Sequence, residues 1–125
     1  MYKNQAQSAY AQNSVAIESP ARLIEMLYEG VLRFNSQAKK AIGDGDIEKK
    51  VYWINRSIAI ITELISTLDM SQKGSMAEYL NGLYNYEIQL LNEAMISSTA
   101  TKIDEVSSVF KVLLETWRED ADLVK

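Results

Sequence analysis

The chain has 125 residues, 47% of them apolar and 24% charged, with a net charge of −4. That length sets a single domain, and the acidic balance argues against the basic face on which nucleic-acid and anionic-membrane binding depend. Cysteine and histidine are both absent, which removes disulfides, thiol chemistry, histidine-ligated metals and Ser-His-Asp triads together.

The first residues, Met1-Tyr2-Lys3-Asn4-Gln5, lack the apolar stretch of a signal peptide. No apolar run is longer than Ile58-Ala59-Ile60-Ile61, far short of a membrane span. A cytoplasmic protein without stable membrane insertion is therefore expected. Residues 1–18 are mostly polar, with Tyr2, Ala6, Ala9 and Tyr10 scattered among them and Val15 and Ile17 alternating with Ala16 and Glu18. Two readings stay open for this N-terminal cap segment. It is a frayed tail, or it is a movable flap whose Tyr10, Val15 and Ile17 lie over an apolar groove.

Residues 19–125 read as four helices. Ser19-Pro20 is a helix start: the Ser19 hydroxyl caps a backbone N–H two or three residues on, and Pro20 takes the first helical position, where its missing N–H costs nothing. The first helix is expected from about Pro20 to about Ile42, with Ile24, Leu27, Val31, Phe34, Ala38 and Ala41 stepping by three and four. Gly43-Asp44-Gly45-Asp46 stops it; Gly43 suits a left-handed helix end and Asp46 a cap for the next helix. The second helix, from about Ile47 to about Leu68, carries the cleanest stripe: Ile47, Val51, Ile54, Ile58, Ile61, Ile65 and Leu68. Such a stripe is the seam of helices packed at small angles. Gln72-Lys73-Gly74 is a turn, and Ser75 with Glu78 forms a capping box. The third helix runs to about Met95 through Met76, Leu80, Leu83, Leu90 and Ala94; Glu87 breaks its strict stripe, so this helix is expected to be rotated or less regular. Ser97 to Thr101 is a loop of cap formers, and the fourth helix carries Ile103, Val106, Phe110, Leu113 and Trp117. Short links between long helices predict an all-α, antiparallel up-down four-helix bundle.

The helices carry more apolar residues than one seam each requires. Trp53, Ile60 and Leu64 lie off the main stripe of the second helix. Tyr79, Tyr84 and Tyr86 crowd the third, and Val109, Val112 and Leu114 flank the seam of the fourth. For any one of these residues a broad core-facing stripe is the plainer reading. Taken together, the excess favours a partner groove, since large apolar patches mark interaction sites and Trp and Tyr suit them. The candidate partner-binding residues are Tyr10, Val15, Ile17, Trp53, Ile60, Leu64, Tyr79, Tyr86, Val109 and Val112.

Catalytic readings find little support. Glu25, Glu29, Glu63, Asp69, Glu87 and Glu93 can be turned inward on helices, but a di-iron bundle needs Glu-x-x-His on two of them. Asp44, Asp46 and Glu48 around Gly45 lack the ligand spacing and closing glutamate of a calcium loop. No glycine-rich phosphate loop is present. The expectation is a non-enzyme without metal or cofactor.

Several segments together resemble the FliS family of flagellin-specific export chaperones. They are Tyr10-Ala11-Gln12-Asn13-Ser14-Val15, Ser19-Pro20 with Leu23-Ile24, Met26-Leu27-Tyr28-Glu29-Gly30 and Gly45-Asp46-Ile47. Ile61 with Glu63-Leu64, Leu68-Asp69, Lys73-Gly74, Leu80, Leu83-Tyr84 and Tyr86 follow, then Glu105-Val106, Leu113-Leu114 and Trp117-Arg118-Glu119. Their order and spacing carry the likeness across nearly the whole chain, with departures at the turns Gly74-Ser75 and Ser97 to Thr101. The resemblance implies a cytoplasmic chaperone of the flagellar type III export route. Its partner would be the C-terminal segment of flagellin, held from premature polymerisation and presented for export. A co-chaperone or export-gate component is a further implied partner, and the free protein is expected as a monomer or weak dimer. The alternative from another class is a structural bundle that homodimerises through its second apolar stripe.

Overall fold

The computed structural model describes residues 19–71 and 73–123, the last three of these for backbone only. Four α-helices follow in order: α1 Pro20–Gly43, α2 Ile47–Ser66, α3 Met76–Ser97 and α4 Ala100–Leu123. Each helix packs on its two neighbours around a square, α1 against α2 and α4, and α3 against α2 and α4. Contacts pair the start of one helix with the end of the next. Lys50 meets Ser98 across α2 and α3, and Lys39 and Arg118 of α1 and α4 meet Asp104 and Glu25. The bundle is therefore up-down-up-down, as the short links predict.

Local chemistry sets the helix ends. The Ser19 hydroxyl accepts from the Arg22 N–H at 3.1 Å, with Pro20 behind it. The Asp46 carboxylate accepts from the Lys49 N–H at 3.0 Å. Ser75 accepts from the Glu78 N–H at 3.3 Å, and the Glu78 carboxylate reaches back to the N–H of Gly74, one residue earlier than the usual capping box places it. The left-handed residue that ends α1 is Gly45, at φ +69, and not Gly43, which is the last helical residue. Asp44 continues the right-handed turn, which moves the reversal two residues on. The expected loop from Ser97 to Thr101 shrinks to Ser98 and Thr99, because Ser98 itself reverses the chain at φ 54.

The core runs the length of the bundle through Val31, Ala38, Ile54, Ile61, Leu64, Leu91, Ala94, Ile103, Val106 and Phe110. At the centre of one half, Tyr28 and Tyr84 reach across the diagonal and bring their hydroxyls to 2.7 Å, with Phe110 packed against both rings. The innermost line of α2 is Lys50, Ile54, Ser57, Ile61 and Leu64, rotated from the stripe the sequence emphasises. The reason is that α2 has two neighbours. Its Ile58 and Ile65 flank the innermost line on one side, Trp53 and Ile60 on the other, and all four are half-buried against the core. Trp53 lies against Phe34 of α1 at 5.4 Å between ring centroids. The Ile60 Cδ1 occupies the space a Cβ on Gly30 would need, 2.6 Å from it, so a larger residue at position 30 would make the end of the Ile60 side chain turn aside.

Candidate functional site

The two sides of α4 differ. Toward α1 it is closed by specific bonds. The Trp117 indole N–H donates to the Ala21 carbonyl at 2.8 Å, and its ring stands edge-on to Tyr28. Arg118 donates to Glu25 and Glu29, each at 2.7 Å, and Arg22 donates to Glu25 from the other side. These guanidiniums, Arg118 first, hold the Glu25 carboxyl below its ordinary range. Deeper in, Ser57 donates to the Asn35 side-chain carbonyl at 2.7 Å, and the Asn35 amide donates to Ser107 at 3.1 Å. That chain ties α2, α1 and α4 together through a fully buried asparagine.

Toward α3 the edge is crossed by an ion pair, Lys102 to Glu93, and otherwise leaves large apolar side chains exposed. Tyr79, Tyr86 and Glu93 repeat every seven residues and so share one edge of α3. Glu93 fixes which edge it is, since it takes a 2.6 Å bond from Lys102 of α4. Val109 stands seven residues beyond Lys102, on the matching edge of α4, and Val112 follows one turn on. Tyr79 is 65% exposed, Tyr86 53% and Val112 62%, while Val109 is half-buried. Three of the predicted residues, Tyr79, Tyr86 and Val109, thus share one α3–α4 edge, and Val112 lies on the adjoining outer face of α4.

Beside Tyr86, Glu87 turns inward and is only 1% exposed, and its Oε1 has no hydrogen-bond partner. Burial, helped by the nearby negative charge of Glu105, pushes its carboxyl up to about 7. The gap it makes in the α3 stripe is the sequence signal of this group. The stripe is not rotated away from it; Glu87 occupies a core position.

The remaining candidates fall elsewhere. Leu64 is 1% exposed and belongs to the core, which corrects the expectation that it lies off the packed seam. Trp53 and Ile60 fill the α1–α2 seam, where α2 needs a second apolar line for its second neighbour. Tyr10, Val15 and Ile17 lie outside the described residues. The buried Asn35–Ser57–Ser107 chain was invisible to hydropathy patterning, because each of these residues is common on exposed helix faces. Among the described residues no cluster of three or more acidic side chains could hold a metal ion, and no helix is long and apolar enough to cross a membrane.

Comparison with known proteins gives one answer. The family model described as flagellar protein FliS matches residues 2–123. The flagellar secretion chaperone FliS of Campylobacter jejuni is 54% identical over 119 residues, covering 95% of this chain and 93% of that protein. The protein of the same name in Salmonella typhimurium is 32% identical over 124 residues, covering 95% and 92%. A solved bacterial flagellar chaperone superposes with a TM-score of 0.77 over 95% of this chain and 97% of its own, at 18% identity, and so shares the fold.

Proposed function

The chain belongs to the FliS family of flagellar secretion chaperones, and from that premise we propose that it binds the C-terminal segment of flagellin in the cytoplasm. In this reading it prevents premature polymerisation and delivers the subunit to the flagellar type III export apparatus. The observation that carries the reading is the α3–α4 edge, where Tyr79 and Tyr86 stay exposed, with Val112 exposed on the adjoining face of α4, although the same helices contribute to the buried core. A segment that is disordered before assembly gains most from such a surface. It orders as an amphipathic helix on binding, covers a large apolar area and remains releasable because ordering consumes part of the gain.

Residues 1–18 are proposed to act as a segment separate from the bundle of residues 19–125. Tyr10, Val15 and Ile17 would lie over the partner surface until flagellin displaces them. So short a stretch with so few apolar anchors gains only a few kcal/mol on docking, comparable to its ordering cost, which suits a displaceable cover. No chemical step is required of any residue.

The test is co-expression with a flagellin C-terminal segment, followed by co-purification. Tyr86→Glu and Val112→Glu should keep the helical circular dichroism and lose the complex. Deleting the residues before Ser14 should leave binding intact or stronger. Folded Tyr86→Glu and Val112→Glu variants that retain the segment as well as the parent would refute the assignment of this edge.

A further inference from the structure

The four arginines of the chain fall into two pairs. Arg22 and Arg118 are held by Glu25 and Glu29 at one end of the bundle. Arg33 and Arg56 meet no carboxylate among the described residues. They converge instead on one aromatic ring, with their guanidinium carbons 5.1 and 5.0 Å from the centroid of Phe34. Arg56 also lies 5.7 Å from the Tyr52 ring and donates one long bond, 3.5 Å, to its hydroxyl. Tyr52 and Trp53 stand edge to face at 4.9 Å, and Trp53 packs on Phe34, so the ring that holds the arginines is itself fixed.

We propose that the α1–α2 face around Phe34 is a second docking surface, and that it takes an acidic helical segment of another protein through Arg33 and Arg56. A guanidinium held near an aromatic ring has given up conformational freedom, yet most of its N–H donors remain available. Two such groups on one ring match two carboxylates one helical turn apart, whose Cβ atoms lie about 5–6 Å from each other. The half-buried Trp53 and exposed Tyr52 supply apolar contact between them. Charge complementarity identifies the occupant. In a chain of net charge −4, two arginines without carboxylates are a local reversal of sign. The chain's own N-terminal segment is a poor occupant, since Glu18 is the one acidic residue in it. This face is separate from the α3–α4 edge and does not depend on what binds there.

The probe is a capped, fluorescein-labelled helical peptide carrying Glu at successive i, i+4 positions, with a Gln-for-Glu counterpart and an oligodeoxythymidylate as controls. Fluorescence anisotropy on the full chain at low salt should show the Glu peptide binding on the order of tenfold more tightly than the Gln peptide, about what one charge-assisted contact supplies. Added salt should erase the difference. The double variant Arg33→Gln/Arg56→Gln should erase it too, with unchanged circular dichroism, and Arg33→Lys should keep part of it. Equal binding of the two peptides overturns the proposal, as does a difference that survives in the double variant. Preferential binding of the oligonucleotide, or self-association through this face that excludes the peptide, overturns it as well.

Discussion

α4 packs on α1 along one side and on α3 along the other, and the two sides are built by different rules. Against α1 the polar groups that enter the seam find partners: Trp117 a carbonyl, Arg118 two carboxylates, Asn35 two hydroxyls. Against α3 an ion pair, Lys102 to Glu93, crosses the edge, the Tyr79 and Tyr86 rings stay exposed, and Glu87 is buried with an oxygen unbonded. A satisfied seam fixes geometry, because breaking it strands the buried Asn35 and Ser57 side chains together. An incompletely satisfied one is closer in energy to its alternatives.

The largest expected effect separates core from edge. Leu64→Glu places a carboxylate at a 1% exposed position on the innermost line of α2. It should cost several kcal/mol and abolish the cooperative melting transition. Tyr86→Glu on the α3–α4 edge should leave that transition in place. A Leu64→Glu variant with the parent's melting curve would mean that α2 is not packed as described.

Glu87 tests whether the α3 side stores an unfavourable term. Its folded value of about 7 lies above the ordinary 4.5, so between those values the folded state binds a proton the unfolded chain has released. The stability associated with the neutral acid is therefore complete below 4.5 and is lost as pH rises through about 7. Glu87→Gln should match the parent at the acidic end and exceed it above neutrality by up to about 3 kcal/mol. Urea titrations across pH read the difference directly, and parallel pH profiles for the two proteins would exclude a buried, proton-binding Glu87.

On the α1 side, Asn35→Ala removes the group that joins Ser57 and Ser107. It should destabilise by about 2 kcal/mol. Adding Ser57→Ala should recover part of that loss, because a hydroxyl without its acceptor goes with it. Strict additivity of the two substitutions would show that the three groups do not act as a chain. The smallest effect is expected at the exposed ion pairs. Arg118→Ala should cost less than about 1 kcal/mol, and less still in high salt. A larger, salt-independent loss would make the Arg118 stem and its packing the important part.

The sequence alone determined the four helices and the caps that start three of them. Ser19, Asp46 and Ser75 each bond an N–H three residues on, a relation local enough to be read from residue types. The four-helix order followed from link lengths and apolar spacing, and the motif pattern pointed to the family that the comparisons then showed. Tertiary structure alone decided which apolar face is inside. A period of three and four marks a stripe but not its width. α2 lies between α1 and α3, so Leu64 went to the core while Trp53 and Ile60 went to the α1 seam. The inward turn of Glu87, the junction at Asn35 and the convergence of Arg33 and Arg56 on Phe34 were equally hidden. Each depends on residues distant in sequence, and burial and hydrogen bonding are properties of neighbours that only the assembled bundle supplies.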